Sequence, residues 1–582
     1  MTGFVSTLAT IWRLAIPYFR SEESWPGRVL LAAVIATELS IVGITVLLNH
    51  WNNRFYNALQ DRNWDAFISE LLFFCALAAI FIVLAVYQLY LNQWLQIRWR
   101  RWMTKVYVGH WLEGANHYRM QLLGDAADNP DQRIAEDIQL FVERTLYVGI
   151  GLLGAIVTLG SFIFILWGLS DDAPLHLFGA DIAIPGYLVW AALLYAFFGT
   201  ALTHLIGWPL VGLNFNQQRY EADFRFNLVR VRENSEQIAL LNGERAETGR
   251  LLDRFSRVVA NWFLIMQRQK QLTFFTAGYT QASIIFPYIV VSPAYFAGRI
   301  QLGGLMQTAS AFNSVQQSLS FFITVYRQLA EWRAVIERLD GFDRSIAAAQ
   351  KAAASPPAVA LVRAKDKSGI EIKDLALRLP NGVPLVAGCD VAISARDAVL
   401  LTGPSGSGKS TLFRAIGGIW PYGSGRIVVP KDARVTILPQ RPYFPVGTLA
   451  NAITYPDAPG TFSNEALTEI LAAVGLPVLA ARLAEEAHWN RMLSLGEQQR
   501  LGIARAILQA PDFLFLDEAT ASLDEPAEAA LYGLLGERLK GATIVSIGHR
   551  ATLSAFHRRR ITLSRDGDVF RLGEIKLEPA AE

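Results

Sequence analysis

The sequence predicts a chain in two parts: an all-α transmembrane domain of six helices, followed by an α/β domain organised around a glycine-rich loop. Long apolar runs are concentrated before Arg327, whereas short strands and helices begin to alternate near Ile370. At 582 residues the chain is also too long for one core, since compact domains usually run about 100 to 200 residues. We place the six-span domain at 28–346 and the α/β domain at 370–582.

Composition predicts a linker between these two parts. Segment 347–369 has many small residues, two prolines and no strong apolar period, which is typical of a connection between folding units.

Net charge and cysteine content narrow the classes of function. The formal net charge is +2, which gives no support for nucleic acid as a partner held by bulk electrostatics. The two cysteines, Cys75 and Cys389, lie in separate regions with no metal-ligand spacing around them. We assign them structural or incidental roles.

The first 27 residues predict a helix that lies on the membrane surface. Segment 1–27 carries basic and aromatic residues at helical spacing, and it lacks a long apolar core followed by a small-residue cleavage site. We interpret it as an interfacial helix rather than a removed signal peptide.

Six segments predict membrane-spanning helices, because a helix needs about 20 apolar residues to cross a bilayer. The sixth is less apolar and carries Gln307, Asn313, Gln316 and Gln317, which favours a helix with one face on a wet cavity; a soluble helix is the alternative. The predicted spans are 29–48, 67–91, 146–169, 182–206, 274–295 and 305–326.

Loop charges predict the orientation of these helices. Segments 98–105 and 219–257 are rich in arginine, whereas the loop at Asp171 and Asp172 is acidic, so both termini are expected in the cytoplasm. Cytoplasmic stretches between the spans have helical character, and we expect turns near 129–133 and 234–239 to contact the second domain.

Glu38 is an ionisable residue within the first predicted span. Its neighbours in IATELSIV are apolar, and an ionised carboxylate against lipid would cost several kcal/mol. We therefore expect Glu38 to face the cavity together with Asn313, Gln316 and Gln317. There it could bind a cationic substrate or a proton, and a protonated or hydrogen-bonded structural role is the alternative.

The run GPSGSGKS predicts a phosphate-binding loop, since an apolar strand precedes it and a helix follows. Backbone N–H groups of such a loop surround the β-phosphate, the lysine reaches the β- and γ-phosphates, and Ser410 can coordinate Mg²⁺. The residues predicted to hold the nucleotide here are Gly403, Pro404, Ser405, Gly406, Ser407, Gly408, Lys409, Ser410 and Thr411.

The segment DFLFLDEAT predicts a buried strand that ends in two acids. Asp517 would join the Mg²⁺ shell, and Glu518 would accept a proton from the attacking water. A strand followed by two acids is common, and its combination with the phosphate-binding loop makes it specific.

With these motifs the second domain resembles the ATPase domain of ABC transporters, and the resemblance covers nearly all of the chain after the linker. The resemblance implies ATP and Mg²⁺ as cofactors. It also implies that Gln440 in LPQRPY touches Mg²⁺ and the attacking water, that His549 in SIGHR contacts the γ-phosphate, and that Asp524 in ASLDE lies in the loop between the two ATP sites.

The stretch LSLGEQQR is similar to the signature of that family, usually LSGGQ. The resemblance implies that Ser494, Gly496 and the following helix N-terminus hold the γ-phosphate of ATP bound to the opposite domain, with Glu497 adding an acid near that anion. One chain carries one ATPase domain, so a second copy of the chain is implied as partner. Leu495 and Leu379 depart from the family pattern, and Leu379 stands where an aromatic often stacks on adenine.

The membrane half, through FYNALQ, NPDQRI, EADFR and ENSEQIA, resembles the branch with peroxisomal acyl-CoA transporters and BacA-like peptide uptake proteins. The resemblance implies a homodimeric half-transporter of the bacterial inner membrane that imports a peptide or another large polar solute. Transport of long-chain fatty acids or acyl-CoA is an alternative, in which Arg54 and Arg299 could hold phosphates. An ATP-gated channel or regulator is another.

Overall fold

The computed structural model describes residues 2–123, 129–172, 175–177, 180–182, 184–354, 358–365 and 368–576. The chain divides into two compact units. The first contains Met1–Tyr107 and Pro130–Asp340, and the second contains Val108–Asn129 and Gly341–Glu582.

Long helices dominate the amino-terminal part of the chain, and a short hairpin of strands β1 and β2 separates two of them. The helices are α1 (Thr2–Arg20), α2 (Ser24–Gln60), α3 (Trp64–Leu112), α4 (Asn116–Leu122), α5 (Pro130–Gln132), α6 (Ile138–Asp172), α7 (Tyr187–Glu233), α8 (Ser235–Leu240), α9 (Glu244–Phe296) and α10 (Leu302–Ala354), and the strands are β1 (Leu175–Leu177) and β2 (Ala180–Ile182).

Among the described residues, five helical segments are long and apolar enough to cross a membrane. They contain the first, second, third and fifth predicted spans and most of the fourth, and the sixth predicted span lies on α10, which is less apolar. Helices α7, α9 and α10 have 47, 53 and 53 residues. At 1.5 Å per residue they are about 70 to 80 Å long, more than twice the roughly 30 Å hydrocarbon core. Helices α7 and α9, which belong to the five segments, are therefore much longer than a membrane crossing requires, as the helical character of the intervening stretches predicts.

The boundaries differ from the predicted ones in three places. The fourth span was predicted from 182, but Ile182 ends β2 and the helix starts at Tyr187, after Gly186 in a left-handed conformation with φ of 65°. Helix α10 continues through Ala354, and β3 (Ala360–Ala364) follows, so both enter the segment 347–369. Helix α1 ends at Arg20, whereas the interfacial helix was predicted to extend over 1–27.

A ladder of amides joins α2 to the start of α10. Asn53 donates a hydrogen bond to the side chain of Gln307 at 2.6 Å, and the side chain of Asn57 accepts one from the backbone N–H of Gly303 at 2.8 Å. Gly303 has room only for hydrogen here, since a Cβ would lie 1.9 Å from the carbonyl oxygen of Asn53. Gln307 therefore packs two helices together, which is a structural role that its expected place on a cavity face did not predict.

The carboxy-terminal part is an α/β domain with a mixed sheet of ten described strands, in the order β3-β7-β4-β5-β14-β13-β6-β12-β11-β8. The strands are β4 (Ile370–Arg378), β5 (Pro384–Ile393), β6 (Ala398–Thr402), β7 (Gly423–Pro430), β8 (Val435–Leu438), β9 (Gly447–Thr448), β10 (Glu486–Ala487), β11 (Phe513–Asp517), β12 (Thr543–Ile547), β13 (Arg559–Asp566) and β14 (Val569–Lys576). The helices are α11 (Lys409–Ile416), α12 (Leu449–Thr454), α13 (Asn464–Ala473), α14 (Trp489–Met492), α15 (Leu495–Gln509) and α16 (Glu525–Arg538).

Two hydrophobic clusters pack in this domain. In one, Phe413 of α11 meets Phe515 of β11 edge to face, with ring centroids 4.9 Å apart. In the other, helices α13 and α15 pack around the fully buried Trp489. Strands β6, β8, β11 and β12 run parallel, so their carboxyl ends meet at one edge of the sheet. That edge is where loops after parallel strands bind ligands in open α/β sheets.

The short helix α4 belongs to the same unit as the α/β domain. Arg119 donates a hydrogen bond to the carbonyl oxygen of Gly418 at 3.3 Å, and Leu122 packs against the cluster that contains Phe413. Residues 124–128, which precede the predicted contact turn 129–133, lie outside the described residues. A segment between the second and third predicted spans thus contacts the α/β domain.

Candidate nucleotide-hydrolysis site

Each group of predicted catalytic residues follows one of the four parallel strands. The glycine-rich loop follows β6, Gln440 follows β8, Glu518 follows β11 and His549 follows β12. In the sheet these strands are adjacent, in the order β6-β12-β11-β8. Residues more than a hundred positions apart in the chain therefore meet at one edge.

The loop 403–410 has the backbone of a phosphate cradle. Gly403, Gly406 and Gly408 have φ of 150°, 77° and 94°, a region that favours glycine. A Cβ on Gly403 would lie 2.9 Å from the carbonyl oxygen of Leu563, and one on Gly408 would lie 2.8 Å from Val386. The loop can adopt this curve because these positions lack side chains.

Two polar groups of this loop have capacity for an anion. Lys409 Nζ donates to the carbonyl oxygens of Gly403 and Pro404, both at 2.8 Å, and an ammonium has three donors. Burial lowers the pKa of Lys409, an effect that Glu518 and Asp517 oppose. The Ser407 hydroxyl is buried and has no hydrogen-bond partner within the described part of the chain. A phosphate would supply acceptors for both groups.

Ser410 and Asp517 form the predicted metal pair. Ser410 Oγ donates to Asp517 Oδ1 at 2.9 Å. Burial raises the pKa of Asp517, and the hydrogen bond from Ser410 opposes this rise. A hydroxyl and a carboxylate at this distance, beside a phosphate cradle, are the oxygen ligands that Mg²⁺ takes in nucleotide sites.

Glu518 lies between the other two predicted catalytic side chains. Gln440 Nε2 donates to Glu518 Oε2 at 3.2 Å, and His549 Nε2 lies 3.4 Å from Glu518 Oε1. Glu518 itself has φ of 50°, a strained conformation for a residue with a Cβ, and such strain clusters at functional sites. The structure brings Glu518, Gln440 and His549 together as one constellation.

Helix α15 begins at the predicted signature. Ser494 is its N-cap and accepts a hydrogen bond from the backbone N–H of Glu497 at 3.4 Å. In return Glu497 Oε2 accepts from the backbone N–H and the hydroxyl of Ser494, both at 2.8 Å. This is a capping box, which stabilises a helix start. Glu497 therefore holds Ser494 in place, a role that the family resemblance did not predict, and its contact with nucleotide stays a prediction.

Asp524 and Leu379 both lie at the ends of regular elements. Asp524 is the N-cap of α16 and accepts a hydrogen bond from the backbone N–H of Ala527 at 3.0 Å. Leu379 follows β4 in a tight turn, where its N–H donates to Val383 at 2.8 Å, and its side chain packs against the core cluster of the sheet. Gly496 is the second residue of α15, close to Leu523.

Arg505 is a polar residue of α15 that the sequence did not single out. It donates to the carbonyl oxygens of Ala452 at 2.6 Å and Tyr443 at 2.9 Å, and its guanidinium lies 4.7 Å from the ring centroid of Phe444. Burial lowers its pKa to about 10. The signal in the sequence was a charged residue within the apolar run LGIARAIL, which marks a buried, hydrogen-bonded cation.

The predicted cavity residues separate into two groups. Asn313 and Gln317 share an exposed face of α10, where Gln317 donates to Asn313 at 3.5 Å, while Gln316 is buried. Glu38 is half-buried on α2, where it accepts a hydrogen bond from Gln88 of α3 and packs against Gly154 of α6. A Cβ at Gly154 would lie 2.0 Å from the carboxylate, so this glycine makes room for Glu38.

Fold and site together define a class: a helical membrane domain fused to a domain that binds and hydrolyses ATP. Family models agree. The model described as ABC transporter transmembrane region 2 matches residues 11–296, and that described as ABC transporter matches residues 386–521.

The chain belongs to the ABC transporter family, as a half-transporter whose ATPase activity is coupled to transport. It is 34% identical to the inner membrane ABC transporter ATP-binding protein YddA of Escherichia coli, over 92% of this chain and 93% of that protein. It is 26% identical to the lysosomal cobalamin transporter ABCD4 of Mus musculus, over 99% of this chain and 97% of that protein.

A solved structure shares the fold. It is titled as a bacterial Atm1-family ABC exporter with ATP bound, with a TM-score of 0.68 at 17% identity, covering 93% of this chain and 94% of that chain. At this identity the likeness concerns the fold, an α-helical membrane domain followed by an ABC ATPase domain.

Proposed function

We propose that the chain works as a homodimer in the bacterial inner membrane, with both termini in the cytoplasm, and uses ATP hydrolysis to import a large hydrophilic solute such as a peptide. The observation that carries the ATP-driven part is the constellation at the end of β11. There Glu518 is bracketed by Gln440 at 3.2 Å and His549 at 3.4 Å, beside the hydrogen-bonded pair Ser410 and Asp517.

Hydrolysis follows from this geometry. Lys409 and the backbone N–H groups of the loop hold the phosphates, while Gln440 orients a water molecule against the γ-phosphate. Glu518 takes the proton of that water as its oxygen bonds to phosphorus, and the bond from phosphorus to the bridging oxygen breaks toward ADP. His549 binds a γ-phosphate oxygen and helps to orient the carboxylate of Glu518.

A magnesium ion fits the pair Ser410 and Asp517, and Gln440 would complete the protein part of its shell. When bound, Mg²⁺ neutralises charge on the phosphate oxygens. The protein side chains position this site: Ser410 donates a hydrogen bond of 2.9 Å to Asp517, and that bond keeps the half-buried carboxylate oriented.

Each ATP is proposed to lie between two copies of the chain. Ser494, Gly496 and the N-terminus of α15 would hold the γ-phosphate of the nucleotide on the partner's loop. The 15-residue α15 supplies free N–H groups at its first turn, and the capping box presents them in a fixed orientation.

Closure of the two ATPase domains is proposed to drive the membrane helices. The segments 129–133 and 234–239 are the proposed contacts, and α8, which covers most of the second segment, is exposed with Leu240 and the following Leu241 bare to solvent. ATP would favour one arrangement of the cavity and its loss another, which is a two-state coupling.

The polar face of α10 supports a hydrophilic cargo. Asn313 and Gln317 lie exposed on it. A polar amide exposed within a membrane helix indicates a wet surface. Cobalamin, the cargo named for ABCD4, is also a large polar molecule. Import rests on the resemblance to the BacA-like uptake proteins.

Transport of fatty acids or acyl-CoA is the alternative, and one observation weighs against it. Arg54, proposed for the CoA phosphates, is bound by both carboxylate oxygens of Glu70, at 2.7 and 3.2 Å. This bidentate pair uses two of the five N–H donors of Arg54 and neutralises its charge, which weakens its attraction for a phosphate. The complete constellation around Glu518 weighs against the second alternative, an ATP-gated channel, because such a channel needs to bind ATP but does not need the residues that hydrolyse it.

The test is purified protein in lipid nanodiscs, assayed for ATPase stimulation by peptides, cobalamin and acyl-CoAs. The best stimulant is then offered to proteoliposomes with ATP inside or outside. A peptide or other polar solute that stimulates turnover and moves toward the ATPase side supports the proposal. Stimulation by acyl-CoA alone, or movement away from the ATPase side, contradicts it.

A further inference from the structure

A buried glutamine on the signature helix connects two loops of the ATP site. Gln499 lies on α15, five residues after Ser494, and its side chain is 1% exposed. Its Nε2 donates to the backbone carbonyl oxygen of Gln440 at 3.0 Å, and its Oε1 accepts from the backbone N–H of Ser522, also at 3.0 Å. Both ends of this amide are thus used, each on a different loop.

The two loops serve different nucleotides in the proposed homodimer. Gln440 contacts Glu518 and so belongs to the catalytic constellation of its own domain. Ser522 lies two residues before Asp524, in the loop between the two ATP sites, and α15 begins at the signature that faces the partner's nucleotide. Gln499 therefore bonds the loop of one site to the elements that face the other.

A second set of side chains also contacts this loop. Arg550, which follows His549, donates to the carbonyl oxygen of Ala521 at 3.3 Å and to the carboxylate of Glu528 at 3.4 Å. That buried carboxylate also accepts a hydrogen bond from Thr520 at 2.6 Å. The loop 520–522 is therefore fixed between the signature helix and the residue next to His549, and it has little freedom to move independently.

We propose that Gln499 is a positioning residue that couples the two ATP sites: a movement of Gln440 on binding ATP is passed through the Gln499 amide to the loop 520–524 and to the signature helix. This inference rests on the proposed homodimer. A buried amide with two fixed backbone partners transmits displacement because breaking either bond leaves a buried polar group unpaired.

Gln498 provides a matched control on the same helix. Its side chain is 8% exposed, donates to the carbonyl oxygens of Asn490 at 3.0 Å and Leu493 at 2.8 Å, and accepts from the Asn490 side chain at 3.4 Å, so its replacement also removes hydrogen bonds at both ends of an amide. These bonds go to Asn490 and Leu493, not to Gln440 or Ser522.

The experiment compares Gln499→Met, Gln499→Glu and Gln498→Met in full-length protein in nanodiscs. For each, ATPase rates are measured against ATP concentration for kcat, KM and the Hill coefficient, and the melting temperature is recorded. Gln499→Glu keeps an acceptor for Ser522 and loses the donor to Gln440, so it is informative even if Gln499→Met does not fold.

We expect wild-type protein to show a Hill coefficient above 1. Gln499→Met and Gln499→Glu should lower kcat by about tenfold and bring the Hill coefficient to 1, at a KM changed by less than about threefold. Gln498→Met should lower the melting temperature by about as much as Gln499→Met does, and it should keep the wild-type Hill coefficient. Gln499 variants that keep the Hill coefficient, or a Gln498 variant that loses it equally, would overturn the inference. A wild-type protein that hydrolyses ATP as a monomer would instead overturn the proposed homodimer.

Discussion

The two units of this chain organise their polar residues in opposite ways. In the ATPase domain, side chains from four parallel strands converge on Glu518 and Asp517 within hydrogen-bonding distance. In the membrane unit, the polar residues are dispersed: Glu38 is bound to Gln88 at one place, whereas Asn313 and Gln317 form an exposed pair on α10.

The difference follows from the ligands. A triphosphate has a fixed charge and shape, so its site demands a lysine, a metal pair and a base at set distances. A cargo sets no such universal geometry, and a membrane helix uses amides both to line a cavity and to bind a neighbouring helix. The residues of the ATPase domain therefore identify its reaction, whereas those of the membrane unit do not identify the cargo.

The largest effect is expected at the base. Glu518→Gln should lower ATP hydrolysis by about 10² to 10⁴-fold, since the amide cannot accept the proton, and leave ATP binding intact. Phosphate release measures the first effect and retention of labelled ATP the second. Glu537→Gln, the same change on the exposed end of α16, is the control. Cargo flux that persists in Glu518→Gln would favour a gate over a pump.

The second prediction concerns Asn313 and Gln317, the exposed residues of the predicted cavity in the membrane unit. Replacing Asn313 and Gln317 together by Leu should lower cargo uptake by about tenfold, because two hydrogen bonds of about 0.5 to 1.5 kcal/mol each are lost. Ser314→Ala is the control, since that hydroxyl bonds to Ser310 of its own helix. Uptake that survives the double change would place the cargo elsewhere.

Leu379 tests whether the base of ATP lies against the turn after β4. Leu379→Tyr should lower the KM for ATP by about fivefold or more, because an aromatic ring stacked on a base contributes about 1 to 3 kcal/mol. The readout is KM for ATP against KM for GTP, and Leu379→Met is the control for size. An unchanged KM would mean that adenine lies away from the turn after β4.

A smaller effect is expected at the capping box. Glu497→Gln should raise apparent ATP affinity by no more than about threefold, since it removes an acid near the γ-phosphate and the amide can still cap Ser494. Glu497→Ala should instead lower both affinity and melting temperature, because the N-cap loses its partner. Equal behaviour of the two variants would argue against the cap.

The ATPase site could be predicted because its signals are local. The strand before GPSGSGKS and the strand ending at Asp517 are short apolar runs followed by residues with special backbone or charge, and both are strands in the structure. The contacts of Gln499 could not be predicted, since Gln440 and Ser522 lie 59 and 23 positions away from it in the chain.

The membrane unit was predicted less well for the same reason. Hydropathy located five of the spans but placed the fourth from 182, because it does not detect the left-handed Gly186 that delays the helix to Tyr187. Gln307 looked like a cavity residue, yet it bonds α10 to α2 through Asn49 and Asn53. The partner of a polar side chain depends on how helices that are distant in sequence pack together. The hydrophobic periodicity of the sequence does not contain that information.

The most direct test of the account mixes two variants that are each inactive alone. Lys409→Ala removes the phosphate-binding lysine, and Gly496→Asp places an acid and a side chain at the start of α15. In a dimer of one chain of each kind, both lesions fall on the same ATP site and leave the other site intact. If the two sites are shared between copies, the mixed dimer should hydrolyse ATP at its one intact site, and neither homodimer should hydrolyse it. Mixed dimers that hydrolyse no ATP, or homodimers of Gly496→Asp that hydrolyse it at the wild-type rate, would contradict the shared sites.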